Sequence, residues 1–283
     1  MLESPMKSAC YLNGATIMTT STARHIEIAR EAGFDGVEVR AERLLGAPDE
    51  LLAAAAIVRP GEVWSLNGIQ LQLRPDGGLD RARLDADLPP RLEICQALGA
   101  SYLLVVPPRA ADADRRRGLA AMRDGLAAIR DRAALIEVGT AFEFLGFGDS
   151  LVDTPAAAGD VVAAVPGVEV VLDSCHWHAS GSGSLQAFPV DRLAMTHLND
   201  APAKPPREIE DADRIFPGLG VIRLGDLVRD LRARGYHGPW CLETFNPTYW
   251  SEDPLHIATE GRTLVGELLD RAIADDVPER RQP

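Results

Sequence analysis

Lysine is nearly missing from this chain: of 29 cationic side chains, only Lys7 and Lys204 are lysine. That leaves little room for a lysine Schiff base or a lysine general base. Cysteine is scarce as well. Cys10, Cys95, Cys175 and Cys241 form no Cys-x-x-Cys pair and sit mostly in or beside apolar runs. They read as small core residues in a reducing compartment. No apolar run approaches the roughly 18 residues needed to cross a membrane. The stretch Met1 to Ala9 lacks the apolar core of a secretory leader. The expected location is therefore the cytoplasm, with no membrane partner. Positive charge is in deficit too, at a net −13. A field of that sign opposes a phosphate backbone, so nucleic acid is not an expected partner. No Gly-x-Gly-x-x-Gly follows the first strand, which weakens a dinucleotide-binding reading.

What is present is alternation. Short apolar runs fall near 9–15, 36–40, 63–68, 102–107, 141–145, 168–173, 193–198 and 239–245. Helical segments lie between them: 22–32, 48–59, 90–98, 112–132, 154–165, 224–234 and 254–274. Thr22 is placed to cap the first helix. Gly33, Gly99, Gly167 and Gly235 each follow a helix and precede a strand, where a loop takes a left-handed residue. Tyr102-Leu103-Leu104-Val105-Val106 is apolar throughout, as a parallel strand buried on both faces must be. Eight such units predict an α/β fold, a single (β/α)8 TIM barrel over 1–283, with 275–283 as a frayed tail. The long polar loop 201–218, with four prolines, reads as functional.

Active sites in this fold lie at the C-terminal ends of the strands. Four successive strands carry a metal-ligand type at or near that end: Glu143, Asp173, His197 and Glu243. One isolated charge in an apolar strand could be an ion pair; four in a row need a common cause. A single divalent cation supplies one, and the mixed oxygen and nitrogen set suits Mn2+, Co2+, Mg2+, Fe2+ or Zn2+. The competing explanation is a buried carboxylate–histidine–arginine network. His176, three residues after Asp173, overhangs the expected pocket, or is a loop histidine. Arg214 precedes a rigid Pro-Gly turn and offers a fork of donors to vicinal hydroxyls, or is a solvated charge. Glu38, near the end of strand two, faces the same mouth as a substrate or supporting group, or pairs with Arg40. His178 is a weaker candidate. Trp177, Phe245 and Trp250 either wall the pocket or pack in the core.

These residues lie in a set of ordered motifs: Gly-Phe-Asp-Gly-Val-Glu-Val-Arg (33–40), Ser-Leu-Asn-Gly (65–68), Glu-Phe-Leu-Gly (143–146), Leu-Asp-Ser-Cys-His-Trp-His (172–178), His-Leu-Asn-Asp (197–200), Asp-Arg-Ile-Phe-Pro-Gly-Leu-Gly (213–220) and Glu-Thr-Phe-Asn-Pro-Thr-Tyr-Trp (243–250). In order and spacing the chain resembles the xylose-isomerase-like barrel superfamily of sugar isomerases and epimerases, in particular its inosose-isomerase-like branch. The resemblance implies that Glu143, Asp173, His197 and Glu243 ligate one metal and that His176 and Arg214 contact substrate oxygens. It also implies a small polyhydroxy ketone as substrate. Glu143 and Glu243 would then act as base and acid across a cis-enediolate. Cys175, Trp177, the proline-rich 202–206 segment, Asn246 and Thr248 depart from the family pattern at the rim, where substrate choice is made. A lyase or dehydratase on the same scaffold is the alternative. A repair endonuclease and a non-catalytic sugar sensor are disfavoured. The oligomeric state stays open, a homo-oligomer included.

Overall fold

The computed structural model describes residues 8–110 and 114–274. Eight parallel strands close in sequence order: β1 (Cys10–Asn13), β2 (Gly36–Arg40), β3 (Val63–Gln70), β4 (Tyr102–Val106), β5 (Gly139–Glu143), β6 (Val168–Asp173), β7 (Leu193–Leu198) and β8 (Trp240–Leu242). β8 pairs back onto β1 through Tyr11 and Cys241, so no edge is left exposed. Between them run α1 (Thr22–Glu31), α2 (Ala41–Leu44), α3 (Pro48–Ala55), α4 (Arg81–Leu98), α5 (Arg115–Ala134), α6 (Pro155–Ala163), α7 (Ser174–Ala179) and α8 (Leu224–Ala233); α9 (Pro254–Ala274) follows β8.

The strand period of two divides the core into compartments. Leu12, Val37, Leu66, Leu103, Phe142, Leu172 and Leu198 point outward, fully buried beneath the helices. Truncating one of these leucines to alanine costs about 2–5 kcal/mol by the usual cavity scale. Tyr11, Leu104, Ala141, Val171, Met195 and Cys241 point inward and form a second, smaller apolar cluster. Register slips in β3 against β2 and in β6 against β7 leave Trp64 and Ala194 as extra residues. Both turn into this inner cluster, and the Trp64 Nε1–H donates to Ala194 O at 3.1 Å. Tyr11, Trp64 and Tyr102 pack in an arc with centroids 5.5 and 5.6 Å apart, which floors the N-terminal end of the barrel. One step further along the strands, the inward positions become polar: Asn13, Glu38, Asn67, Glu143, Asp173, His197 and Glu243.

Gly33, Gly99, Gly167 and Gly235 all adopt positive φ (80°, 64°, 86° and 90°), as their position between helix and strand requires. Ser21, rather than Thr22, caps α1, its Oγ accepting from Arg24 N; Thr22 donates its N–H and hydroxyl to Glu50. α4 begins well before the expected start at Pro90, with Pro89 and Pro90 inside it. The expected start of α5 at Asp112 lies outside the described residues; Asp114 caps the described helix. The 275–283 tail also lies outside them. No described helix is long and apolar enough to cross a membrane.

Candidate active site

The polar layer begins with strand endings. β5 and β6 terminate in Glu143 and Asp173, β7 carries His197 one residue before its end, and Glu243 follows β8. β6 pairs Asp173 with His197, whereas Glu143 pairs with Val171, two residues before Asp173, and Glu243 stands two residues past Cys241, the partner of His197; all four side chains face the barrel axis at its C-terminal end. One ligand atom from each of Glu143, Asp173, His197 and Glu243 lies within 4.8 Å of every other, and all four residues are buried.

Each group is held. His197 Nδ1 faces Glu143 Oε1 at 3.1 Å and Glu243 Oε2 at 3.2 Å. Its Nε2 lies 2.8 Å from Glu38 Oε2, outside good hydrogen-bonding geometry. Glu38 also accepts from Ser65 Oγ at 2.8 Å and from the Asn13 amide. Asp173 caps α7, its Oδ1 accepting from His176 N at 2.7 Å, while Oδ2 accepts from Asn199 Nδ2 at 2.7 Å and Arg214 Nη1 at 3.1 Å. Arg214 Nη1 also donates to Glu243 Oε2 at 2.8 Å; Nη2 reaches His176 Nε2 at 3.1 Å and Asp211 Oδ1 at 2.7 Å. Asn13 and Asn67 donate to Glu243 Oε1 at 2.8 and 3.2 Å.

Above this floor opens a cleft of about 360 Å³, lined in part by Glu143, Glu243, His176, Arg214, Phe147 and Phe245. Glu143, Asp173, His197, Glu243, His176 and Arg214, all singled out from the strand ends and the loops above them, thus meet in one place. Glu38 does not wall the cleft: it is fully buried beneath His197, and its neighbours are His197, Asn13 and Ser65 rather than Arg40. Phe245 does line the cleft, under the guanidiniums of Arg40 and Arg214 at 4.9 and 5.2 Å. His178 pairs with Ser182, Trp177 donates to Gly183 O, and Trp250 donates to Ala15 O; none of the three lines it. All four cysteines are buried. The structure adds Asn13, Asn67, Asn199, Arg40 and Phe147, which the sequence alone does not single out. Asn13 ends β1, Asn67 lies within β3 and Asn199 follows β7, and an asparagine at such places carries no distinctive sequence signal.

The charge balance tests whether a cation belongs here. Four buried carboxylates (Glu38, Glu143, Asp173, Glu243) face two guanidiniums, Arg40 and Arg214, and one imidazole. Even with His197 charged, the cluster stays anionic. Protons therefore bind tightly: burial, with Glu243 and Asp173 nearby, pushes Glu143 up to about 7, and the carboxylates overcome burial to hold His197 well above its ordinary value. Against the cost of burial, His197, Arg214 and Arg40 hold Glu243 well below the carboxylate range. Burial lowers His176. A hard or borderline divalent cation would supply the missing charge to these oxygen and imidazole donors without protons, so the residues present fit one.

A closed parallel barrel with a buried carboxylate–imidazole cluster under a C-terminal cleft defines the class: a (β/α)8 barrel with a candidate metal centre at its C-terminal mouth. The chain belongs to the xylose isomerase-like TIM barrel family, whose model matches residues 26–265. It is 25% identical over 258 residues to an inosose isomerase of Halalkalibacterium halodurans, covering 85% of this chain and 89% of the relative. It is 30% identical over 249 residues to a 3-dehydroshikimate dehydratase of Pseudomonas aeruginosa, covering 82% of this chain but 37% of that longer protein. The crystal structure of an IolI protein with a bound zinc atom superposes with a TM-score of 0.83 at 22% identity, covering 93% of this chain and 99% of that one, a likeness of fold.

Proposed function

We propose that the protein is a divalent-metal-dependent isomerase or epimerase of a small polyhydroxy ketone, an inosose or a ketose. The observation that carries this is the convergence of Glu143, Asp173, His197 and Glu243 within 4.8 Å beneath an open cleft. The relatives named inosose isomerase support the substrate class.

Glu143, Asp173, His197 and Glu243 would hold the ion, which when bound supplies Lewis-acid polarisation of a carbonyl. Glu143 and Glu243 approach from different strands and both line the cleft, so one can remove the proton from the carbon beside the carbonyl and the other can return it. Arg214 and His176 sit on the same wall and place donors where negative charge develops on the enediolate oxygens. Asn13 and Asn67 fix the Glu243 carboxylate from below. The Glu38 carboxylate, 2.8 Å from His197 Nε2, backs the imidazole with negative charge from the side away from Glu143 and Glu243.

The test is to incubate the metal-loaded protein with inososes and ketohexoses in heavy water and follow the carbon-bound protons by NMR. Deuterium beside the carbonyl and an isomeric product of unchanged heavy-atom composition are expected. Absence of exchange with every ketone sinks the proposal. The two relatives named 3-dehydroshikimate dehydratase favour a second reading, a lyase with the same first proton abstraction. A product lighter by one water selects it.

A further inference from the structure

Of the side chains that crowd Glu243, Arg40 has no part in the chemistry so far. It ends β2 two residues past Glu38, so the alternation of the strand turns it inward, above the buried polar floor and into the cleft. Its seat is fitted. Nε and Nη2 both meet Glu42 Oε1, at 2.9 and 2.7 Å. The guanidinium carbon lies 4.9 Å from the centre of the Phe245 ring. A Cβ added at Gly14 would come within 3.1 Å of Arg40 Cγ. The charge is thus paired and the plane fixed, and one arm of the fork, Nη1, is left over.

Nη1 lies 3.6 Å from Glu243 Oε1, beyond hydrogen-bonding distance. That oxygen already accepts from Asn13 at 2.8 Å and Asn67 at 3.2 Å, so both its lone pairs are taken. Among the described residues no hydrogen bond leaves Nη1. Arg214, at the other oxygen of Glu243, differs: it shares Nη1 between Asp173 and Glu243, and Nη2 between His176 and Asp211. A substrate oxygen reaching Arg214 competes with four side chains, whereas one reaching Arg40 Nη1 competes with none. Position adds to this. While Glu243 carries the proton taken from carbon, its carboxyl is neutral and the negative charge has moved to the enediolate oxygen. A donor beside Oε1 but not bonded to it gains more from that state than from the neutral ketone, which lowers the barrier rather than tightening binding.

We propose that Arg40 is a further catalytic residue, its Nη1 donating to an enediolate oxygen from the β2 side of the cleft, with Glu42 and Phe245 fixing its direction. This deepens the proposed function and rests on the cleft being the site of that reaction.

Turnover, metal binding and binding of an enediolate mimic are measured on the metal-loaded protein. With a ketone that the wild type converts, Arg40→Gln should lose about 10²- to 10³-fold in kcat with KM little changed. Arg40→Lys, which keeps the charge but not the fork, should lose less. Added guanidinium ion should restore part of the rate of Arg40→Ala, and urea, its uncharged counterpart, should not. Metal affinity, from competition with a chromogenic chelator, should not fall, because the change removes a positive charge from beside the ion. Unchanged kcat, a loss carried in KM alone, rescue by urea as good as by guanidinium, or a fall in metal affinity that accounts for the lost rate overturns the inference. Titration with threonohydroxamate, whose anionic form mimics the enediolate, decides the contact without turnover. Arg40→Gln should bind it roughly 10- to 100-fold more weakly and bind myo-inositol as the wild type does; equal hydroxamate binding overturns the inference. Absence of proton exchange by the wild type with every ketone removes the isomerase reading, and Arg40-dependent hydroxamate binding then leaves the donor standing.

Discussion

Two carboxylate oxygens of Glu243 are shared among five side chains: Asn13, Asn67 and Arg40 at Oε1, Arg214 and His197 at Oε2. The crowding makes Glu243 the residue whose charge matters most and whose volume is least free to change. Glu243→Gln keeps the volume, so the fold should persist in circular dichroism while initial rates fall about 10²- to 10⁴-fold, the range for losing an acid–base group. Glu38→Gln tests a different role. It leaves the cleft wall intact but slackens the carboxylate behind His197, so competition with a chromogenic chelator should show metal affinity down by roughly 10- to 100-fold. His25 lies away from this cluster, its Nε2 at 3.0 Å from Leu12 O, and burial holds its pKa at about 4 against 6.5. The unfolded chain takes up a proton below pH 6.5 and the folded one only below about 4. Stability from this group is thus complete above 6.5 and drains away as pH falls to about 4, by about 3 kcal/mol. His25→Gln should flatten that part of the urea-midpoint profile; an unchanged slope would show that His25 is not its source.

The loop after β7 shows how a segment without regular structure can carry a fixed side chain. Asp200 accepts four backbone N–H groups, from Ala201 and Ile222 at Oδ1 and from Gly218 and Gly220 at Oδ2, all at 2.9 or 3.0 Å. The same residue bridges Ile215 through its backbone, next to Arg214. Asp200→Ala orphans those donors; about 1–3 kcal/mol of stability should go, and kcat/KM should fall further than thermal melting alone explains. The element pattern itself is largely legible in the sequence. Strands β2, β6 and β7 fall where the apolar runs put them, because a strand buried on both faces has no polar side to confuse its bounds. β5 sits two residues earlier than expected, Gly139–Glu143, since Gly139 and Thr140 gain their strand character from pairing with Tyr102 and Leu103, not from their own apolarity. The early start of α4 is hidden because prolines usually mark a boundary, yet Pro89 and Pro90 are accommodated mid-helix. The short α7 is invisible in period and length; it exists because Asp173, which the sequence shows only as a charge, also caps it. The four strand-end ligand types can be read because charges inside apolar runs stand out. The amides that brace them cannot, since an asparagine in or beside a strand is ordinary.

Across the molecule, a cation held by all four residues would link β5 to β8 in the folded state and would find no such site in the unfolded chain. Mn2+ at about 100 times its dissociation constant should add about 2.7 kcal/mol, seen as a rise of several degrees in melting temperature that a chelator reverses. No shift with any divalent ion would argue for a purely structural ion-pair cluster. The aromatic arc of Tyr11, Trp64 and Tyr102 bears on traffic rather than stability. It stoppers one end of the cylinder, so arrivals and departures share a single doorway, and a molecule that has reacted must back out before the next can enter. Added product should therefore slow the enzyme in a purely competitive pattern.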